Sequence, residues 1–451
     1  MEENSLMQLQ NKSYLSEFLS KLFDRLNSEN ITYCILRNYV RLPEDIGNDV
    51  DMWVDKKDWG KFHHSVKDVA YALNYTLNYT PRLTVKGEGN YFLSKFVNEK
   101  LQVIHIDSWA YLHWKGLCFI NESVIGKYLK WNERGFFIPS PGVEASINLL
   151  KELIYHGRIK EKYKEKIKEY ALKDSAIFLE CVKKSFGRKT SLFIFECAQN
   201  GDWQMLEKNY IRLRIVLFLR GLLSPFSQFI KFFYYSRAQV RRFFTSPYGL
   251  FIVLIGPDGS GKSTTSKNLI ESEIKKLFQK KLYFHGHFPF LPELRKIVAF
   301  LRGKKIDMKD ITNPASSKPM GFWRSMIYPI YYGVNYFLGH FFIWKEKARA
   351  GLIVFDRYFY DYMIQNIYAN CPRWLLYVIA SLIPKPDIVI YLKNRPEVIF
   401  SRKPELTIDE IKRQSEICEN LVKKLKNCYV VQTNSEDETL IQIQNIIIKR
   451  R

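Results

Sequence analysis

Apolar and polar positions along the chain change rhythm near residue 250. Beyond it, short apolar runs recur at 250–255, 282–286, 352–356, 387–392 and 428–432, each followed by a stretch of helical spacing. Runs this short predict strands, and strands alternating with helices predict βαβ units. Residues 249–451 are therefore read as an α/β domain whose five-stranded parallel sheet is covered on both faces. Residues 1–200 follow another pattern, short strands and then a helical stretch at 147–174 dense in Lys and Glu. There the spacing of Leu149, Leu150, Leu153 and Ile154 marks a buried face, and the region reads as an α+β domain with a helical cap.

Two segments interrupt this alternation. The connector at 201–248 contains a run, 209–244, with seven basic residues, ten aromatics and no acid. One reading is a helix pair on a membrane surface, with Arg212, Arg214, Arg220, Lys231, Arg237, Arg241 and Arg242 meeting anionic headgroups. The other is an amphipathic connector with solvated charges. Basic residues among aromatics also suit nucleic acid, but no RNA- or DNA-binding motif accompanies them. The second segment, 325–344, has 20 residues without Asp, Glu, Lys or Arg, long enough to span a bilayer. It contains Pro329, Asn335 and His340 and lies between two motifs of one site, so a buried helix lining a cleft is expected.

Composition narrows the partners. The chain of 451 residues carries a formal charge of +23 and a pI near 9.5. That balance calls for an anionic partner such as a nucleotide, nucleic acid or an anionic membrane. The seven cysteines are scattered without a CxxC pair, which predicts free thiols in a reducing cytoplasm. The N-terminal residues include acids and lack an apolar core, so no signal peptide is expected. The expected location is the cytoplasm, peripheral on the inner membrane face if the basic segment binds lipid.

The chemistry begins at "GPDGSGKS", residues 256–263, which fits GxxxxGK[ST] and stands between a predicted strand and a predicted helix. Gly256, Gly259, Ser260, Gly261 and Thr264 belong to a loop whose backbone N–H groups converge on phosphate oxygens at a helix N-terminus. Lys262 is expected on the β- and γ-phosphates of ATP, and the Ser263 hydroxyl on Mg²⁺. Farther on, "GLIVFDRYFYD" ends an apolar strand in Asp356-Arg357-Tyr358. A carboxylate there is placed to hold Mg²⁺, and an arginine beside it to grip a phosphate.

With "PKPDIVIYLKNRPEVIFSRK" at 384–403, these motifs resemble the thymidylate kinase family over about 200 residues. The resemblance implies that Asp258 contacts the acceptor's sugar hydroxyl and that Arg357 orients the acceptor phosphate. It puts Arg402 and Lys403 at the start of a lid, where they neutralise the transferring phosphoryl group; Arg413 reads as a solvated helix face. The acid that the family carries at the position of Gly256 is missing, and two further departures also fall where the acceptor base would be recognised. No Arg-Glu-Pro-Gly segment follows the second strand, which gives "LYFHGHFPFLPELRK" with His285 and His287, and the family's serine after the Asp-Arg-Tyr triplet is Asp361.

In the N-terminal half, Asp49 and Asp51 are two apart on an extended segment, so both face one side. Asp107 ends a second apolar run, and paired carboxylates of this kind hold divalent metal against a triphosphate. The pattern resembles the polymerase-β-type nucleotidyltransferase superfamily, which implies that Asp49, Asp51 and Asp107 are metal ligands. The family's Gly-Ser turn is replaced by Arg37-Asn38.

The expected activity is ATP-dependent phosphoryl transfer to a small nucleotide or sugar-phosphate acceptor. The paired-domain resemblance implies a setting in bacterial envelope glycan metabolism, by analogy. Two alternatives stay open: a nucleotide-switched regulatory or scaffold protein at the membrane, and nucleotidyl transfer by the N-terminal domain as the main activity.

Overall fold

The computed structural model describes residues 2–81, 88–120, 122–222, 225–245, 248–294, 296–297 and 319–450. The chain divides into two compact units, Met1–Asn98 with Gln102–Arg241, and Glu99–Leu101 with Arg242–Arg451.

The first unit opens with helix α1 (Glu2–Ser28), which the sequence reading did not anticipate. Phe18, Leu22 and Leu26, with Leu19 and Phe23, are buried at four-residue spacing, so tertiary burial fixes this helix. Strands β1 (Tyr33–Ile35), β2 (Val50–Val54), β3 (Thr76–Pro81), β4 (Gly89–Val97) and β5 (Lys100–Trp109) form a mixed sheet in the order β1-β2-β5-β4-β3, with helix α2 (Trp59–Ala72) between β2 and β3. Strands β2 and β5 are parallel, which sets Asp51 opposite Asp107.

The single helical stretch expected at 147–174 is two helices, α3 (Pro141–His156) and α4 (Glu161–Lys173). Gly157 ends α3 at φ +73°, a left-handed conformation in which a side chain would be strained. Leu149, Leu150, Leu153 and Ile154 are fully buried as the spacing predicts. Both helices pack against α5 (Ser175–Asn200).

The acid-free run forms α6 (Tyr210–Leu222) and α7 (Pro225–Thr245). Not all of its basic groups are free to meet headgroups. The Arg214 guanidinium donates to the Ile154 carbonyl at 2.7 and 2.9 Å and lies over the Trp114 and Tyr210 rings. The Lys231 ammonium donates to Cys118 Sγ at 3.3 Å and sits over Tyr111. These two cations cap a helix end and fill ring faces within the unit; Arg212, Arg220 and Arg237 lie at its surface.

The second unit contains β6 (Leu250–Ile255), β7 (Lys280–His285), β8 (Gly351–Asp356), β9 (Ile388–Lys393) and β10 (Cys428–Gln432). They form an all-parallel sheet in the order β7-β8-β6-β9-β10. Every residue of β6 and β8 is buried, which is why these strands read as unbroken apolar runs. Helix α8 (Lys262–Glu271) leaves the loop after β6.

Helix α9 (Phe322–Ala348) covers one face of the sheet, and the expectation of a buried helix holds for one side only. Tyr332, Gly333, Tyr336, Gly339 and Ile343 face inward, whereas Ile327, Ile330, Val334, Phe337 and Phe341 are exposed. The helix lies on the sheet with a single stripe, so its remaining apolar residues have no layer to cover them among the described residues. Among the described residues no helix is long and apolar enough to cross a membrane. A Cβ on Gly339 would stand 2.2 Å from the buried Phe288 ring. Gly339→Ala will therefore destabilise the protein by about 1–3 kcal/mol in chemical denaturation, and an unchanged midpoint would contradict this packing.

Candidate active site

The loop after β6 turns through Gly259, whose φ of +89° and whose position leave no room for a side chain. A Cβ there would lie 3.1 Å from the Ile399 carbonyl and from Lys403 Cβ. The backbone then enters α8 with Gly261 as its N-cap, so the first-turn N–H groups point into open space at the carboxyl edge of the sheet.

That space is a cavity of about 510 Å³. Loop residues 258–265 form one wall, Arg357, Arg402 and Lys403 another, and Thr433 to Glu436 with Thr439 a third. Asp258, Gly259, Ser260, Gly261, Lys262, Ser263, Thr264, Arg357, Arg402 and Lys403 are thus brought together around one volume. Gly256 is not part of the lining; its carbonyl accepts a hydrogen bond from Lys262 Nζ at 2.7 Å. Arg413 is elsewhere, paired with Glu410 at 2.6 Å and donating to the Ile364 carbonyl. The third wall is absent from the sequence reading. Its signal was the polar turn Thr433-Asn434-Ser435 at the carboxyl end of β10, where open α/β sheets bind ligands. Asn394 and Arg402 both donate to the Thr433 carbonyl, at 2.7 and 3.0 Å, and so fix that turn.

Lys262 is buried, with Nζ donating to the Gly256 and Pro257 carbonyls at 2.7 and 2.8 Å and lying 3.5 Å from Asp258 Oδ1. Arg357 Nη2 donates to the same Asp258 oxygen at 2.5 Å. Arg357 adopts φ +72°, an uncommon conformation for a side-chain-bearing residue, which turns it from the end of β8 toward the loop.

Asp356, fully buried at the end of β8, is not part of the cavity lining. Its Oδ2 accepts from the Ser263 hydroxyl and from Tyr283 OH at 3.2 Å, with His285 Nδ1 also at 3.2 Å. Burial opposes its ionisation, but hydrogen bonds from His285 and Ser263 and the charge of Lys262 hold its pKa below the usual carboxylate value. Asp356 Oδ1 has no partner. A buried, ionised oxygen with an unmet lone pair beside a serine hydroxyl and a phosphate cradle fits hydrated Mg²⁺. His287 stacks on Tyr332 at 4.7 Å.

Asp361 begins helix α10 (Asp361–Ile364). Burial pushes its pKa up to about 6; Lys262 and Arg357 oppose that rise, and Asp258 and Asp356 add to it. Its Oδ1 is buried and unpartnered.

In the first unit, carboxylate oxygens of Asp49, Asp51 and Asp107 lie within 4.8 Å of one another. Both Asp51 oxygens are engaged, Oδ2 by Arg37 Nε at 2.5 Å and Oδ1 by Lys151 Nζ at 3.0 Å. Burial resists the charge on Asp51, yet Lys151 and Arg37 hold its pKa far below normal. Asp49 is pushed up to about 6 by burial and by Asp51 and Asp107. The three acids converge as metal ligands do, but a metal on Asp51 has to share its oxygens with the Arg37 and Lys151 cations.

No protein-family model matches the chain. A thymidylate kinase of Malacoplasma penetrans (strain HF-2) is 28% identical over 163 residues, covering 34% of this chain and 67% of that protein. The second unit is thymidylate kinase-like. The crystal structure of thymidylate kinase from Ehrlichia chaffeensis aligns over 45% of this chain and 100% of that one, at 19% identity and a TM-score of 0.31.

In the thymidylate kinase-like unit Asp361 ionises near 6, against 3.8 for the free side chain. The folded state then binds more protons in that interval, so stability falls as pH rises from about 4 to about 6. Asp361→Asn will raise the melting temperature at pH 7.5 and leave it nearly unchanged at pH 4 in scanning calorimetry; equal shifts at both values would contradict the assignment.

Proposed function

We propose that the thymidylate kinase-like unit transfers the γ-phosphoryl group of ATP to a small nucleotide- or sugar-type acceptor. The observation that carries this reading is the convergence of Lys262, Arg357, Arg402 and Lys403 with the loop N–H groups on one cavity. Mg²⁺, held by Ser263 and the free oxygen of Asp356, supplies charge neutralisation at the β- and γ-phosphates when bound. Lys262 leaves the Gly256 and Pro257 carbonyls for phosphate oxygens, exchanging two neutral acceptors for charged ones. Arg402 and Lys403 offset charge on the transferring group. Asp258 fixes Arg357 and positions the acceptor. The Thr433–Glu436 turn forms the outer wall of the nucleotide cavity.

A regulatory nucleotide switch needs the loop and the metal but has no use for Asp258, Arg357 and the lid cations, so their convergence supports catalysis. The setting we favour is bacterial envelope glycan metabolism in the cytoplasm. Nucleotidyl transfer by the N-terminal unit is the second reading, and the convergence of Asp49, Asp51 and Asp107 supports it. Arg37 and Lys151 on Asp51 weigh against it.

The exposed stripe on α6 supports membrane-surface binding. Ile211, Ile215, Phe218, Leu219 and Leu222 lie at helical spacing and each is 52–57% exposed, with Arg212 and Arg220 beside them.

Lys262→Ala will lower MgATP binding and phosphoryl transfer on the order of 100-fold in a radiolabel assay. Retained transfer would refute the kinase reading. The protein will co-sediment with vesicles containing phosphatidylglycerol and not with pure phosphatidylcholine. At about 1 kcal/mol per basic residue near the surface, Arg212→Glu with Arg220→Glu and Arg237→Glu will weaken this on the order of 100-fold. Equal binding to neutral vesicles would contradict it.

A further inference from the structure

Besides Asp356 Oδ1 and the loop's own Ser260 Oγ, two buried polar atoms beside the phosphate cradle have no hydrogen-bond partner among the described residues. One is Asp361 Oδ1, an acceptor, and the other is Arg357 Nε, a donor. Buried groups of this kind are normally paired, and an unmet donor and acceptor in one site point to a ligand that supplies both. A hydroxyl group does so, since it donates through hydrogen and accepts through oxygen.

Charge narrows the ligand further. Three carboxylates (Asp258, Asp356 and Asp361) share this end of the site with two cations, Lys262 and Arg357, and all five interact electrostatically. Arg357 already has Asp258 at 2.5 Å, and Lys262 has the loop carbonyls and the donor phosphates to serve. A phosphomonoester approaching Arg357 would therefore meet a guanidinium half neutralised by Asp258 and a further carboxylate on Asp361. A neutral hydroxyl pays no such repulsion.

Aromatic rings lie close to Asp361. Tyr332 stacks on His287 at 4.7 Å and on Tyr362 at 6.2 Å, and Tyr362 lies 4.7 Å from Tyr368. Tyr336 and Tyr362 both interact electrostatically with Asp361. Ring faces of this kind take the apolar face of a sugar or of a base. The carboxylate accepts hydroxyl hydrogens, and the phosphate of a nucleotide meets the repulsion described above.

We propose that Asp361 selects an uncharged, hydroxyl-bearing carbohydrate-type ring as the phosphoryl acceptor and excludes phosphomonoesters such as nucleoside monophosphates. This rests on the kinase reading above and names its substrate class. The acceptor hydroxyl oxygen forms the new bond to the γ-phosphorus. The bond from that phosphorus to the β–γ bridging oxygen breaks, and ADP leaves with the electron pair. The hydroxyl proton passes to Asp361, whose free oxygen receives it; Asp258 is held by Arg357 and Lys262.

The test compares the full-length protein with Asp361→Ser and the near-isosteric Asp361→Asn. Calorimetry measures thymidine monophosphate binding in the presence of Mg²⁺ and a non-hydrolysable ATP analogue. Both variants are expected to bind thymidine monophosphate at least tenfold more tightly than the native protein, with binding of the analogue unchanged. Native binding as tight as that of the variants overturns the proposal, and so does binding too weak to detect in all three. A second arm supplies labelled ATP with neutral hexoses, heptoses and N-acetyl sugars beside their phosphates. The native protein should label neutral rings in preference, and Asp361→Asn should lose that transfer more than it loses ATP hydrolysis. Preference for the phosphates, or no transfer to neutral rings while the analogue still binds, overturns the proposal alone. Failure of the analogue to bind the native protein refutes the kinase reading itself.

Discussion

The hydrogen bonds around Asp356 are what the thymidylate kinase-like unit depends on. This one carboxylate takes Ser263 from the start of α8, and Tyr283 and His285 from the end of β7, while it ends β8 itself. The parallel register sets His285 and Leu254 beside it on the two flanking strands. A buried charge is costly unless its partners are in place, so the node both requires and fixes the alignment of three neighbouring segments. Its second oxygen is left over. Structure thus consumes half of the group and leaves half for chemistry.

The same division recurs across the site. Lys262 satisfies itself on loop carbonyls, and Asp258 on Lys262 and Arg357, so each cation has a place to rest before a nucleotide arrives. Arg357 holds a left-handed backbone conformation to reach that pair. Asp361 is the exception, a half-buried carboxylate whose buried, unpartnered oxygen and raised pKa make it a stability cost at neutral pH. Such a cost is expected where a side chain answers to a ligand rather than to the fold.

The sheet of the second unit was legible in the sequence because its central strands are buried on both faces. Unbroken apolar runs ending in GPDGSGKS and in Asp356-Arg357 placed both motifs at one sheet edge. The third wall was harder to read, since Thr433-Asn434-Ser435 is an ordinary polar turn until β10 is known to border β9. Helix α1 was missed because its buried stripe is apolar only where tertiary contacts require it. The break at Gly157 was written in the sequence but hidden by the Lys and Glu pattern on either side. Helix α9 shows the converse: its apolar length suggested complete burial, and only the packed structure reveals that one face is covered. In the N-terminal unit the spacing of Asp49 and Asp51 gave the convergence with Asp107, while the occupation of Asp51 by Arg37 and Lys151 depends on contacts 14 and 100 residues away.

Both halves of the chain therefore carry carboxylates beside cations, but they differ in what is left open. Around Asp51 each oxygen is paired within the protein; around Asp356 one oxygen is not. The central claim is that the second site is completed by a magnesium nucleotide. A crystal structure with Mg²⁺ and a non-hydrolysable ATP analogue tests it most directly. The account predicts the analogue's phosphates in the 256–263 loop, with Lys262 Nζ moved from the Gly256 and Pro257 carbonyls onto phosphate oxygens and Asp356 turned to the hydrated metal. Nucleotide bound elsewhere, or Lys262 still on those carbonyls with nucleotide present, would contradict it.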